Sequence, residues 1–326
     1  MMRHTGFNLP QLDTPVYKNT MIHITASSDD NYAQHVGVMF YSLLSNSSTP
    51  ENIQIHLISS DISNSNLEKL NSCVSSFGAS LNIIPANNKR YENLPTLRYG
   101  TAAYQRISLG EYLPDTVTKV IYLDCDILVL NDIKQLWAHH LGNKTIGAVE
   151  NLSPKACKSL GFSRKDYFNS GVLVANLQLW RENDIYTQAV SFIKQHSSSL
   201  QYIDQCTLNH IFKDDWEKLP LSWNQQADIY GVLKKYSDGC GYSKEDMKQA
   251  IVDPDIVHFI GTQKPWLLNC FHPYKSMYAH YLGKTPWKST HHTDDSVLNR
   301  IKYFFSIRKK VKQFYRKKNI TVKNAR

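Results

Sequence analysis

The sequence predicts an α/β fold built on a mainly parallel sheet, and three observations carry that prediction. Short β-branched runs alternate with helical patterns from the N-terminus onward, as they do where parallel strands are joined by helical crossovers. The 326 residues are 42% hydrophobic, with 19 Tyr and 12 Phe, enough for a sizeable core. Two polar stretches, one at 29–32 and one at 124–126, each sit at the carboxyl end of an expected strand. In open α/β sheets ligands bind there, at the carboxyl ends of the strands.

Taken in order, residues 1–20 are polar, contain two prolines and read as a loosely attached extension. A first strand is expected over 21–26, with a polar loop over 27–32. Val36, Phe40 and Leu44, with Met39 and Leu43 alongside, predict a helix over 33–45. A second strand follows over 53–58. Asp61 or Ser63 can cap a helix running toward Phe77, and a third strand is expected over 80–84. Residues 101–113 read as a helix containing Arg106, leading through Pro114 into the apolar run 119–130.

That run holds Asp124 and Asp126. A buried carboxylate is costly unless it is paired or binds a metal. Alternation at a strand end can turn both acids the same way. Two hard oxygen ligands so placed suit a divalent cation such as Mg2+ or Mn2+. A lone D-x-D is more often a turn with two solvated acids, so the rest of the chain has to decide.

Further on, 133–137 is a short helix, and 146–149 and 172–177 are strands, with Tyr167-Phe168-Asn169-Ser170-Gly171 before the second. Residues 203–211 read as a helix with Asp204 and Gln205 near its start. A late strand over 256–261 contains His258, ends in Gly261 and is followed by Thr262-Gln263-Lys264-Pro265-Trp266. No G-x-G-x-x-G, G-x-x-x-x-G-K-[ST] or G-x-S-x-G occurs, which argues against dehydrogenase, P-loop and serine-hydrolase readings. A metal at the paired acids, with Lys264 and Arg106, would neutralise a diphosphate and help it leave a sugar.

The net charge of +9 is localised. Residues 300–326 hold 11 Lys or Arg and no acid, so the other 299 residues carry 26 basic against 28 acidic side chains, a net of −2. On a helical wheel Ile301, Phe304, Phe305, Val311, Phe314 and Tyr315 share one half, opposite Lys302, Lys309, Lys310, Arg316 and Lys317. That pattern suits a helix lying on an anionic membrane surface. Nucleic acid is the other partner a basic tail can serve; the charge placement argues against it, because a nucleic-acid enzyme carries basic residues along its binding face. The six cysteines are scattered without a C-x-x-C pair, and no secretory signal is evident. A reducing, cytoplasmic setting is therefore expected. No apolar run approaches the ~20 residues that span a bilayer. The expected division is an extension over 1–20, a catalytic domain over 21–287 and a basic amphipathic tail over 288–326.

Six strings, read together, resemble glycosyltransferase family 8, and within it the bacterial lipopolysaccharide and lipooligosaccharide α-galactosyl- and α-glucosyltransferases. They are Asp29-Asp30-Asn31-Tyr32, Tyr104 through Tyr112, Tyr122-Leu123-Asp124-Cys125-Asp126, Tyr167 through Val172, Asp204-Gln205, and His258 through Trp266. The resemblance implies a GT-A fold, a UDP-galactose or UDP-glucose donor, a lipopolysaccharide core acceptor and retention of anomeric configuration. It makes Asp124, Asp126 and His258 the ligands of Mn2+, with Mg2+ as the alternative. Asp29, Asn31 and Tyr32 would hold uridine, and Gly261 and Lys264 the diphosphate, with Lys264 assisting the leaving group. Arg106, Asn169, Asp204 and Gln205 would surround the donor sugar. Gln205 would lie on the face opposite the leaving phosphate, where an amide is a poor nucleophile. Asn151, beside Glu150, stands where a relative has Asp near the donor sugar, and Tyr99 where it has an acceptor-side His. The expected location is the inner face of the bacterial inner membrane. A non-catalytic UDP-sugar or glycan-binding module on the same fold is the alternative.

Overall fold

The computed structural model describes residues 20–95, 101–153, 155–235, 240–289 and 293–318. The main sheet is formed by β1 (Ile22–Asp29), β2 (Ile53–Ser60), β3 (Ser80–Pro85), β4 (Lys119–Leu123), β6 (Ile146–Glu150), β7 (Phe168–Asn176) and β8 (Trp216–Lys218). Its order is β3-β2-β1-β4-β7-β6-β8. Only β7 runs against its neighbours; every other pairing is parallel. A second, three-stranded sheet places β10 (Ile256–His258) between β5 (Ile127–Val129) and β9 (Gln225–Gln226). The architecture is the expected α/β class with a mixed, mainly parallel sheet.

Helix Ala33–Ser45 and helix Asn64–Ser75 cover one face of the sheet, with Val36, Met39, Phe40, Leu70 and Val74 packed on Ile24, Ile55 and Ile121. The opposite face is covered by helices Leu177–Glu182, Ile185–His196 and Ile203–Ile211, whose Trp180, Ile193 and Leu208 join Tyr122, Leu173 and Ala175. A third cluster, containing Leu128, Val257, Phe259, Trp266 and Tyr278, seats the small sheet against helix Lys275–Leu282. Each of these layers removes a continuous apolar face from water, the dominant stabilising term in folding.

Several elements depart from expectation. Residues 101–113 form a 3-10 segment, Thr101–Ser108, followed by the short helix Leu109–Tyr112. Gln105, Arg106 and Ser108 are all buried there, each held by specific partners, and an amphipathic α-helix would not bury three polar side chains within one turn. β7 begins at Phe168, four residues earlier than expected, and absorbs the Asn169-Ser170-Gly171 stretch. Its register with β6 jumps, Ala148 facing Leu173 but Val149 facing Asn169. Residues 170–172 are therefore bulged from that ladder, a device that re-aims side chains beside functional sites. The tail is two helices, Val297–Phe304 and Ile307–Lys318, with a break between them. No described helix is long and apolar enough to cross a membrane.

Candidate active site

β4 ends at Leu123 and β5 starts at Ile127, so Asp124-Cys125-Asp126 is the turn that passes the chain from the large sheet to the small one. β5 pairs antiparallel with β10, and His258 faces Ile127 in that ladder. The register sets the imidazole beside the turn. His258 Nε2 lies 3.2 Å from Asp126 Oδ1 and 3.7 Å from Asp124 Oδ2. One ligand atom from each of the three residues falls within 4.8 Å of the others. The convergence comes from the junction of two sheets, not from alternation along a single strand.

Two permanent cations lie on these acids. Arg106 places Nη2 2.8 Å from Asp124 Oδ1 and Nε 3.1 Å from Asp204 Oδ2, and its Nη1 donates to Ser170 O and Oγ at 2.9 and 3.0 Å. Its guanidinium also stacks 4.9 Å from the Tyr122 ring. Lys264 donates to Asp126 Oδ2, and to Phe259 O at 2.8 Å. Burial disfavours the Asp126 charge, but Lys264 and His258 outweigh it and hold the carboxyl well below the usual carboxylate range. Burial likewise works against the Lys264 ammonium, and Asp126 outweighs it, raising the amine. For Asp204 burial prevails over Arg106, so that carboxyl is raised. Gly261 has φ +73°, a left-handed conformation that suits glycine, at the turn leading to Lys264.

The bulge in β7 supplies the wall behind the triad. Asn169 donates from Nδ2 to Gln205 Oε1 at 3.2 Å, and Ser170 N–H donates to the same oxygen at 3.1 Å. Gln205 Nε2 donates to Tyr167 Oη at 3.2 Å, so both ends of the amide are engaged. Gly171 is where the wall comes closest. A Cβ there would stand 2.3 Å from His258 Cε1 and 2.6 Å from Asp124 Oδ2.

At the end of β1, Asp29 Oδ1 accepts from Tyr32 N–H at 3.0 Å and caps the turn Asp30–Tyr32. Asp30 faces away, accepting from Ser63 N–H and Asn66 Nδ2. Asn31 is exposed. The half-open Tyr32 ring stands edge-on to His35 and to Trp266, which stack on each other at 3.6 Å. Burial pushes the His35 imidazole down to about 3, so it is a neutral ring in this stack. Trp266 lies two residues beyond Lys264, so one aromatic cluster joins the β1 loop to the Lys264 loop.

Asn151 is buried, its Oδ1 accepting from Ser153 N–H at 2.9 Å. Its neighbour Glu150 is committed elsewhere. Fully buried, it pairs with Arg164 at 3.1 Å and Lys218 at 3.7 Å and accepts from Gly241 N–H at 2.7 Å. Tyr99 lies outside the described residues. The structure thus brings Asp124, Asp126, His258, Lys264, Arg106, Asp204, Asn169 and Gln205 into one bonded cluster, while Asp29, Asn31 and Tyr32 sit on the adjoining loop. Ser170, Gly171 and Asn224 also belong to it. The first two are visible as part of a motif; nothing in spacing or periodicity singles out Asn224.

The fold is that of the GT-A glycosyltransferases. It is similar to the structure of the galactosyltransferase LgtC in complex with donor and acceptor sugar analogues, with TM-score 0.73 and 26% identity over 86% of this chain and 100% of that one. The chain belongs to glycosyltransferase family 8, whose family model matches residues 23–270. Among its relatives, general stress protein A of Bacillus subtilis is 34% identical over 83% of this chain and 96% of its own length. The lipopolysaccharide 1,2-glucosyltransferase of Escherichia coli K12 is 26% identical over 86% and 82%.

The donor set of Asp124, Asp126 and His258 fits a divalent cation. Two hard carboxylate oxygens and one borderline imidazole nitrogen are ordinary ligands for such an ion. Three carboxylates, Asp124, Asp126 and Asp204, meet two permanent cations, Arg106 and Lys264, with His258 between the first two acids.

Proposed function

We propose that this enzyme transfers galactose or glucose from its UDP-sugar to a sugar of a lipopolysaccharide or lipooligosaccharide core, forming an α linkage with retention of configuration. The observation that carries the reading is the convergence of Asp124, Asp126 and His258 from two sheets, with Lys264 resting on Asp126. Carboxylates alone repel a diphosphate; a divalent cation held between them would attract it and stabilise the charge that grows on the departing UDP. Asp124, Asp126 and His258 would hold that ion, Mn2+ best and Mg2+ as the alternative.

The remaining residues bind and orient. Lys264, once a diphosphate competes for it, can leave Asp126 for a phosphate oxygen and hold the leaving group. Tyr32 offers an exposed aromatic edge for the uracil, with Asp29 fixing the loop and Asn31 within the same turn. Gly261 lets the backbone come close to the phosphates. Arg106 and Asp204, buried and paired, face the donor sugar with Asn169 and Asn151. Gln205 Oε1 already accepts two hydrogen bonds, one for each lone pair. A nucleophilic role would break both, which favours front-face substitution over a covalent intermediate of the kind retaining glycosidases form with a carboxylate. The relation to the Escherichia coli glucosyltransferase supports the acceptor class.

The tail supports action at the cytoplasmic face of the inner membrane. Leu298, Phe304, Phe305 and Ile307 are 60–72% exposed, amid 11 Lys or Arg over 300–326. The test of the catalytic reading is UDP release by the purified full chain with UDP-galactose, then UDP-glucose. Chelation should abolish it, Mn2+ should restore it, and Asp126→Ala should remove it by about a thousandfold, the scale of losing a charge-stabilising group. Full activity of Asp126→Ala in EDTA would sink the metal reading.

A further inference from the structure

Asn224 is fully buried in the 3-10 turn Leu221–Asn224 that leads into β9, and none of the chemistry above uses it. Its side chain lies between a metal-binding candidate and the sugar-facing wall. His258 Nδ1 is 3.0 Å from Asn224 Oδ1, and Asn224 Nδ2 donates to Asn169 Oδ1 at 2.9 Å.

The orientations of the Asn169 and Gln205 amides are set by backbone donors. Gly171 N–H donates to Asn169 Oδ1 at 3.1 Å, and Ser170 N–H donates to Gln205 Oε1 at 3.1 Å. Those two N–H groups cannot be reversed, so oxygen is the atom each amide must present to them. Asn169 Oδ1 also faces Asn224, and only the Nδ2 of Asn224 can meet it. That leaves Asn224 Oδ1 turned to His258. An acceptor there requires a proton on Nδ1, and the lone pair of the neutral ring then resides on Nε2. Nε2 is the nitrogen directed at Asp126 and Asp124.

We infer that Asn224 is a positioning residue, which fixes His258 as the Nδ1–H tautomer and presents Nε2 to a divalent cation. The inference rests on the metal reading above. It adds that the direction originates in the bulge of β7, whose Gly171 and Ser170 amides set the polarity of a relay running from Gln205 through Asn169 and Asn224 to His258. The same bulge that shapes the sugar-facing wall therefore also orients a metal ligand.

Two measurements test it. Mn2+ binding by the full chain, read from the electron paramagnetic resonance of free Mn2+ in the presence of UDP, should weaken about 10–100-fold in Asn224→Ala, the usual cost of losing the partner behind a metal-bound histidine. Asn224→Asp, which still accepts from Nδ1–H, should restore binding to within about threefold of the original. A folded Asn224→Ala that binds Mn2+ as tightly as the original chain overturns the inference. Because removing a buried amide can unfold the chain, the second measurement needs no variant. In the metal-free protein labelled with 15N-histidine, His258 Nδ1 should carry a proton; a bare Nδ1 overturns the inference. Absence of any Mn2+ binding by the original chain would instead count against the metal reading itself, so the two failures are distinguishable.

Discussion

Gly171 measures how little space the carboxylates and the imidazole leave around them. Its φ is not positive, so backbone freedom is not the reason for glycine there; the reason is volume. A methyl group would overlap His258 Cε1 and Asp124 Oδ2, and neither can retreat. His258 is 3% exposed and tied to Asn224, while Asp124 is gripped by Arg106 and accepts from Tyr122 Oη at 3.0 Å. Gly171→Ala should therefore move a proposed metal ligand rather than a bystander. Expected is a loss of about 100-fold in UDP release, the scale of a misplacement near 1 Å. The accompanying destabilisation should be about 1–3 kcal/mol, as for overpacking. Coupled UDP assays and urea denaturation check both; activity within threefold of the original would show that the cluster can yield. The identity of Gly171 is plain in the sequence as the end of an Asn-Ser-Gly string. Its reason is not, because the imidazole it makes room for is 87 residues away along the chain.

Among the elements, the Lys264 loop depends on what lies behind it. It contains no helix or strand of its own over 262–269. Instead, the segment that opens the tail clamps it. Leu268 N–H donates to Asp294 Oδ1 at 2.7 Å, Thr293 N–H to Trp266 O at 3.3 Å, and Asn269 Nδ2 to Asn299 O at 3.3 Å. Asp294→Ala removes the shortest of these, worth about 1 kcal/mol. Expressed as Lys264 held in place for a smaller fraction of the time, that is a fall in kcat of roughly fivefold, with Mn2+ affinity and the unfolding midpoint little changed. Unchanged kcat would mean that the loop is held well enough by Trp266 stacking and by Lys275, whose Nζ donates to Leu267 O at 2.7 Å and Leu268 O at 2.9 Å. No such clamp is readable from composition, since it joins short polar stretches that carry no periodicity. The helices over 33–45, 133–137 and 203–211 were legible because a 3.6-residue apolar rhythm is a local property. Three of the site strings, at 29–32, 124–126 and 258–266, were legible because each sits at the end of a buried strand. Beyond local reading lay the 3-10 geometry of 101–108, where buried polar contacts decide, and the small sheet, whose strands β5, β9 and β10 are two or three residues long.

At the scale of the whole molecule, charge and catalysis are separated along the chain. The body, with a net of −2, carries the carboxylate cluster; the last 27 residues carry 11 basic side chains and no acid. Among the described residues the tail helices meet the body at several side chains, with the Tyr303 ring stacked on Phe271. Gln313 donates to His272 O at 3.0 Å, and Arg316 lies 4.1 Å over the Tyr230 ring. Phe304, Phe305 and Ile307 face outward. Exposed aromatics among cations are what an anionic bilayer binds, each Lys or Arg near the surface adding about 1 kcal/mol. Removing residues 300–326 leaves Thr293, Asp294 and Asn299 in place, and with them most of the clamp on the Lys264 loop. The truncated chain should therefore keep its turnover on a soluble acceptor while losing its hold on vesicles that contain anionic lipid. For the full chain, raising the ionic strength from about 0.1 M to about 1 M shortens the Debye length from about 10 Å to about 3 Å and should release most of the bound protein. Vesicle sedimentation with the two chains, in parallel with UDP release, separates anchoring from catalysis. Equal binding of both chains would refute the membrane role, whereas loss of turnover in the shorter one would mean that the tail also holds the loop through Gln313 and Arg316.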